Sequence, residues 1–443
     1  MTQHEATELM LRYLEGHAGE AEVARLQAAL RASPELVAMC AEISRQHLHL
    51  RELAEAAAFK TSPQESRIID GGFLRRRFLL PLLAAAAVVA VGAFLFLQTG
   101  KAPRAGVQAE VVSTENAGVA WKKGEHVSLR TLELATGSVQ LRLENGALVT
   151  LAAPLAVEFL SPLRVKVQRG QITTDVSAGG KGFTVEAHGT EVVDLGTQFG
   201  VKVSERGATD VVVFHGEVKL QTASAGEPRA WMNLAGGEAV SLDFEHQHPT
   251  RIQAIYSDAE SQAWSLESSS DEQTLVRSIS DNIELPDFQG FYRVMPGGMK
   301  PGASPYGGKA PLWDEDRPFP TELLGADLIT TFQGKRFNPE FEMTVALNHP
   351  ATVFVMHDDR QPPPAWLQRD FSKTKTLLPL PLPPGLLSPE VAATVPTDTQ
   401  GRLFLTFSVW RRDVPAGAVV LGESHSSSEK IPHFMYGLAV KRR

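Results

Sequence analysis

Residues 194–201 read DLGTQFGV, and residues 211–220 read VVVFHGEVKL. Both stretches gather β-branched and aromatic residues into short runs, which is typical of β-strands. Gly196 and Gly216 lie at the breaks between runs, where glycine adopts a positive φ or lets another backbone approach closely. The residues expected to fill a core are Phe199, Val201, Val211 and Val213. The pattern predicts a scaffold of strands and not a catalytic group.

Short strands continue on both sides of this stretch, over residues 107–245. Val139, Leu141 and Leu143 alternate with polar residues, and Asn145-Gly146 predicts a type I′ hairpin turn before the chain returns. Glycines separate many further runs at regular spacing. Such spacing is typical of an all-β sandwich, a barrel or a β-helical stack, and the sequence leaves all three open.

These motifs together resemble the core of the FecR domain. In that family a Gly-Thr-x-Phe-x-Val strand precedes a Val-x-x-Gly-x-Val strand pair, as residues 194–201 and 211–220 do here. The motif positions are Asp194, Gly196, Thr197, Phe199, Val201 and Gly216. The resemblance implies a FecR-like β domain over residues 107–245 and a protein that regulates signalling.

The rest of the chain predicts a linker and a second β domain. Residues 246–284 are polar and serine-rich, which favours a connection between domains. Residues 285–443 show strands separated by long loops rich in glycine and proline, which predicts a mainly-β domain of the sandwich or jelly-roll type. It distantly resembles carbohydrate-binding-type modules. The ligand-surface candidates are the loop aromatics Tyr306, Trp313 and Trp366, whose rings either stack on a ligand or seal the core.

Three polar residues at the end of a predicted strand suggest a possible site of chemistry. His357, Asp358 and Asp359 could serve a calcium ion or acid–base chemistry. A turn with an internal ion pair to Arg360 explains the same residues. No nucleophile is placed beside a base elsewhere, so we expect no enzyme activity, no cofactor and no metal site.

Residues 78–97 read FLLPLLAAAAVVAVGAFLFL and carry no charged side chain. At about 1.5 Å per residue, a helix of this length spans the roughly 30 Å core of a bilayer. The sequence therefore predicts one transmembrane helix from Phe78 to Leu97, with Pro81 tolerated in its first turn. The basic flank is Arg75, Arg76 and Arg77. By the positive-inside rule, the N-terminus is cytoplasmic and the C-terminus periplasmic or extracytoplasmic, at the inner membrane.

Residues 1–60 predict a small all-α bundle, and residues 61–77 a linker that ends in the basic flank. Apolar residues recur there at helical spacing, as in LMLRYLEG and ARLQAALRASPEL. These stretches resemble the cytoplasmic domain of FecR-type sigma regulators, without the zinc-binding signature of other anti-sigma domains. The resemblance implies binding of an extracytoplasmic-function sigma factor. The candidate binding residues are Leu11, Tyr13, Leu14, Leu26, Leu30 and Leu36.

Composition narrows the possible partners. The net charge of −8 and the lack of a large basic block argue against direct nucleic-acid binding. Cys40 is the only cysteine, so the predicted exported part has no disulfide. The leading hypothesis is a single-pass signalling regulator that binds a sigma factor in the cytoplasm and senses an envelope signal, protein or glycan outside. The alternative is a membrane-anchored envelope or adhesion protein that recognises glycan or peptidoglycan.

Overall fold

The structure, a computed structural model, describes residues 106–443 with short gaps. The gaps are residues 177–179, 223–230, 244–248, 261, 269–273, 285–287, 309–310, 334–337, 384, 388–391, 394, 399–400 and 425–432. The segments predicted over residues 1–60, 61–77 and 78–97 all lie outside the described residues.

The described residues are almost entirely strands and loops. The one α-helix with defined bounds among them is α1 (Ala365–Asp370), and no helix there is long and apolar enough to cross a membrane. The predicted fold class added an all-α bundle and a transmembrane helix to two β domains, and it is corrected for the described residues, whose fold is all-β. The prediction used periodicity within single segments, which does not reveal how the described strands pair with one another.

Fourteen strands form the first sheet network. They are β1 (Val107–Glu115), β2 (His126–Leu129), β3 (Thr131–Leu134), β4 (Ser138–Leu143), β5 (Leu148–Ser161), β6 (Arg164–Asp175), β7 (Thr184–Ala187), β8 (Thr190–Asp194), β9 (Gln198–Val203), β10 (Thr209–His215), β11 (Glu217–Thr222), β12 (Trp231–Ala235), β13 (Glu238–Leu242) and β14 (Pro249–Arg251). The main path runs β12-β11-β8-β7-β6-β5-β4-β1-β2, while β9 joins β6 to β10 and β13 joins β10 to β14.

Strand β10 is buried on both of its faces. Val211 and Val213 point into the main core of the first sheet network. Val212 and Phe214 alternate with them and belong to a different apolar cluster on the opposite face. Because side chains in a strand alternate between faces, the continuous apolar run VVVF is the pattern expected of a strand covered on both sides.

The hairpin predicted at Asn145-Gly146 is present between β4 and β5, but its turn is of another type. Gly146 has a φ of 86°, whereas Asn145 does not have a positive φ. The amide of Gly146 donates to the carbonyl of Leu143, and the amide of Leu143 donates to the carbonyl of Ala147, both at 2.9 Å. This pattern is that of a three-residue loop with a glycine bulge. The Asn145 side chain bonds to Pro162 and Ala147, which holds it in this conformation.

The remaining strands form two sheets around one further core. The larger sheet contains β15 (Ala254–Ser257), β16 (Trp264–Ser265), β18 (Tyr292–Met295), β19 (Asp327–Thr330), β21 (Ala351–Asp358), β22 (Ser372–Pro381), β23 (Phe404–Val414) and β25 (Gly437–Arg442). The smaller contains β17 (Val276–Asp281), β20 (Met343–Leu347) and β24 (Gly417–Leu421). Their shared core gives the sandwich arrangement predicted for residues 285–443.

The segment predicted as a linker, residues 246–284, contains four of these strands. β14 extends the first sheet network, β15 and β16 belong to the larger sheet of the sandwich, and β17 belongs to the smaller one. β14 pairs with the nearby β13 and β15 with the nearby β16, whereas β17 pairs with the remote β20, and the polar composition of the segment did not reveal any of these pairings. Residues 102–443 accordingly form one compact unit.

A small third cluster and one ion pair join the two cores. The cluster contains Val212, Phe214, Ala239, Ile252, Ile255, Trp264 and Phe291. Nearby, the guanidinium of Arg251 donates two 2.7 Å hydrogen bonds to the buried carboxylate of Asp281, and the hydroxyl of Tyr292 donates a third, of 2.8 Å. These contacts connect β14 of the first network with β17 and β18 of the sandwich.

Candidate ligand site

The FecR-like motif forms two turns in contact with each other. Gly196 follows β8 with a φ of 109°, and Gly216 follows β10 with a φ of 83°. A Cβ on Gly216 would lie 2.7 Å from the carbonyl oxygen of Gly196, so close backbone approach requires glycine there. The hydroxyl of Thr197 donates a 2.6 Å hydrogen bond to the carbonyl of Glu217. Both glycines therefore have the positive φ that the sequence predicted.

The other motif side chains are interior. Phe199 and Val201 are fully buried in the first core. Asp194 is also fully buried, and that burial raises the pKa of its carboxyl group. The motif thus occupies a structural position in the fold, as expected of scaffold residues.

A cavity of about 280 Å³ lies where the end of β10 meets β18 and the loop that follows it. Its floor consists of the buried residues Phe214, Phe291, Arg293, Met295, Tyr306 and Thr330. Its rim carries the exposed residues Glu260, Lys300 and Leu312. The cavity therefore contacts both the first sheet network and the sandwich.

Arg293 is the central polar group of this cavity. It lies on β18, which pairs with β15 and β19, so its side chain is 9% exposed. Its Nε donates to the hydroxyl of Ser257 at 2.6 Å, and its Nη2 donates to the carbonyls of Asp258 and Ala259 at 2.5 and 3.1 Å. Its guanidinium carbon lies 5.3 Å from the centre of the Phe214 ring, a cation–π distance.

The electrostatics of the cavity follow from this buried cation. Burial lowers the pKa of Arg293 to about 10, which still leaves it protonated at neutral pH. Loss of hydration and the charge of Arg293 both lower the pKa of His215 at the end of β10. None of the described carboxylates forms an ion pair with Arg293 or with Lys300. Glu260 on the rim and Asp258, two residues before it, both favour the charged form of Arg293 and so offset part of the positive charge that Arg293 and Lys300 give the lining.

The structure separates the three aromatic ligand-surface candidates. Tyr306 lines the cavity, and its hydroxyl donates to the carbonyl of Met435 at 2.7 Å. Trp313 is fully buried in the sandwich core, edge-on to Phe407. Trp366 is mostly buried, and it lines a different cavity, of about 710 Å³, beside β24. The three rings do not form one exposed aromatic surface, because Trp313 is buried in the sandwich core.

The residues at the end of β21 form a buried ion pair. Asp358 accepts hydrogen bonds from Arg360, the shortest 2.6 Å, and from the backbone amide of Phe434 at 2.8 Å. Burial lowers the pKa of the adjacent His357 to about 4. The side chain of Asp359 lies 3.9 Å from that of Lys373. This is the internal pair to Arg360 that the sequence offered as the alternative to chemistry.

Other predicted residues cannot be placed. The candidate sigma-binding residues, the basic flank and the ends of the apolar run precede the described part of the chain and stay predictions. In residues 106–443, gaps aside, no three His, Cys, Asp or Glu side chains converge to hold a metal ion. The sequence reasoning missed Arg293 and Lys300. An arginine inside the apolar run FYRVM is the signal that could have revealed the first of them.

Comparison with known proteins identifies one part of the chain. A family model described as "FecR protein" matches residues 128–219, which confirms the resemblance and shows that the chain carries a FecR domain. A search of the curated proteins found no match. Among solved structures, a beta-glucuronidase from glycoside hydrolase family 2 aligns at 12% identity and a TM-score of 0.28. The alignment covers 76% of this chain but 38% of that one, and at this TM-score it supports no argument.

Proposed function

We propose that this protein is a FecR-type signalling regulator in which N-terminal residues bind an extracytoplasmic-function sigma factor and the β part senses an envelope signal. The FecR domain at residues 128–219 supports the general class. The resemblance of residues 1–60 to sigma-regulator domains supports the partner. The function is binding and transmission, without chemical turnover.

The observation that carries the proposal is the shared packing of the FecR domain and the sandwich. β10 belongs to the FecR domain, and its Phe214 packs edge-on against Trp264 and Phe291 at 6.4 and 6.3 Å between ring centres. Protein interiors are closely packed and deform little, so a shift of the sandwich displaces the FecR strands as well. A ligand or partner on the sandwich therefore has a direct route to the FecR domain.

We also propose that the β part lies outside the cytoplasm, with the N-terminus inside, at the inner membrane. The position of Cys40 supports this arrangement, because residues 41–443 contain no thiol that an oxidising compartment could cross-link. A C-terminal alkaline phosphatase fusion should be active and a C-terminal β-galactosidase fusion inactive. The reverse pattern would refute the arrangement.

Co-purification of the full chain with each extracytoplasmic-function sigma factor of its source organism tests the proposed partner. We expect one of them to be retained, and we expect Leu26→Asp with Leu30→Asp to abolish retention by charging the predicted apolar face. Leu377→Asp is the matched control, since Leu377 is 55% exposed in the β part. Recovery of no sigma factor would overturn the proposal.

The structure gives no specific support to the alternative of a glycan-binding envelope protein. That reading relied on aromatic rings exposed on loops, whereas Trp313 is fully buried and Tyr306 is only 2% exposed. Stacking on a sugar needs an open ring face. We therefore propose no glycan site on these residues.

A further inference from the structure

We infer that the cavity between β10 and β18 binds a small organic anion with a single carboxylate group, held by Arg293 at the floor and Lys300 at the rim. This inference deepens the proposed function by naming the class of signal. Only the claim that binding transmits a signal rests on the proposed function. The binding itself is a property of the β part.

The first argument is the unused hydrogen-bonding capacity of Arg293. A guanidinium has five N–H donors, and Nε and Nη2 direct theirs to Ser257, Asp258 and Ala259. Nη1 has no hydrogen-bond partner among the described residues. Asp258 and Glu260 favour the charged form of Arg293 without pairing with it, and a carboxylate that accepts from Nη1 would add a direct charge-assisted hydrogen bond.

The second argument is the combination of size and wall chemistry. One water occupies roughly 30 Å³ of liquid, so about 280 Å³ holds on the order of ten non-hydrogen atoms. Phe291, Met295 and Tyr306 form much of the buried wall. Apolar walls with one polar anchor fit an organic body carrying one charged group better than they fit a hydrated inorganic ion.

The third argument is the charge distribution at the rim. Lys300 is exposed and has no ion-pair partner in the described part of the chain, so its ammonium group can meet an entering anion. Glu260 lies on the same rim and repels anions. Arg293 and Lys300 are the two positive charges of the lining, and Glu260 in the lining and Asp258 beside it offset part of them, so the site favours one added negative charge over two.

The floor of the cavity connects the ligand to the FecR domain. Phe214 and Phe291 line the cavity and also belong to the cluster that joins the two cores. A ligand seated on these rings fills space that the cluster leaves open. Binding therefore adds contacts to the cluster that holds β10 and β18 together, and this added stability is the step that would carry a signal.

Two rim substitutions of opposite charge test the inference in the purified full chain by isothermal titration calorimetry. The probes are butyrate and benzoate, with succinate and inorganic phosphate as the dianionic and tetrahedral comparisons. We expect Lys300→Met to weaken butyrate or benzoate binding about two- to fivefold, and Glu260→Gln to strengthen it by a similar factor. Lys123→Met is the control, because Lys123 is exposed and lies outside the cavity.

Two further variants test the floor. Arg293→Lys keeps the positive charge but removes the planar guanidinium that can donate parallel hydrogen bonds to a carboxylate. We expect the affinity for butyrate and benzoate to fall about thirtyfold or more. Because Arg293 also holds the 257–259 turn, Ala303→Leu provides a second test that fills the cavity from its wall. It should block binding while the melting temperature stays close to that of the unchanged protein.

The inference is overturned if neither monocarboxylate binds at about 10 mM, a level at which even weak sites fill. It is also overturned if phosphate binds as tightly as benzoate, or if the Lys300 and Glu260 variants shift affinity in the same direction or not at all. Carboxylate binding by a chain that retains no sigma factor refutes only the proposed function. Sigma-factor retention without carboxylate binding refutes only this inference.

Discussion

The contact between Gly200 and Trp264 makes the joining of the two cores testable. Gly200 lies on β9 with an ordinary φ, so alanine adopts its backbone conformation without strain. A Cβ there would lie 2.5 Å from Nε1 of Trp264 and 2.6 Å from its Cε2, and the indole would have to move. Trp264 is buried, and its Nε1 donates a 3.0 Å hydrogen bond to the hydroxyl of Thr173. We therefore expect Gly200→Ala to displace the indole.

The size of the effect follows from three contributions. Overpacking costs about 1–3 kcal/mol. Loss of the bond to Thr173 costs about 1 kcal/mol, and replacing glycine by alanine in a strand returns about 0.5–1 kcal/mol. The free energy of unfolding in urea, followed by circular dichroism, should fall by about 1–3.5 kcal/mol.

A double-mutant cycle supplies the control. Trp264→Ala should by itself lower the free energy of unfolding by about 3–5 kcal/mol, because it removes a buried indole. In that background Gly200→Ala should cost nothing or stabilise by up to about 1 kcal/mol. If Gly200→Ala lowered the free energy of unfolding equally in both backgrounds, its effect would not come from contact with the indole of Trp264.

Three further substitutions test other contacts. Asp281→Asn should lower the free energy of unfolding by about 3–5 kcal/mol, since it leaves Arg251 buried without its partner; a loss below about 1 kcal/mol in urea titrations would contradict this. Burial holds the pKa of His357 at about 4 instead of 6.5, so its stabilising contribution is complete above pH 6.5 and is lost as the pH falls towards 4. His357→Gln should remove about 3 kcal/mol of that pH dependence in unfolding measured from pH 4 to 8, and an unchanged profile would argue against it. Trp313→Ala should destabilise by about 3–5 kcal/mol, as expected of a core residue, whereas an unchanged melting temperature would favour a surface role.

Much of the first β part was predictable, because the signals involved are local. Alternation of apolar and polar residues marked β4, and the positive φ of Gly196 and Gly216 followed from their positions at breaks between strands. The hairpin at Asn145-Gly146 was placed correctly, but its turn type was not. The bond from the Asn145 side chain to Pro162, seventeen residues away, could not be seen from the turn sequence.

The candidate site was largely hidden from sequence reasoning. Arg293 and Lys300 lie seven residues apart, and nothing in their spacing indicates that they line a cavity with Phe214 and Glu260. The aromatic residues singled out from the sequence were chosen for their place in loops. Burial depends on which strands cover those loops, and that is a property of the assembled sandwich.

The strand character of residues 107–245, the FecR resemblance and the two glycine turns could all be predicted from the amino-acid sequence. Each depends on side-chain alternation or on local φ preference, which act over a few residues. The assembled structure was needed to show that the 246–284 segment contributes strands to three sheets, that Gly200 makes room for Trp264, and that Arg293 lines a cavity. The pairing of β17 with β20 and the hydrogen bond between Thr173 and Trp264, which are 91 residues apart, join segments remote in the chain, and only folding brings such partners together.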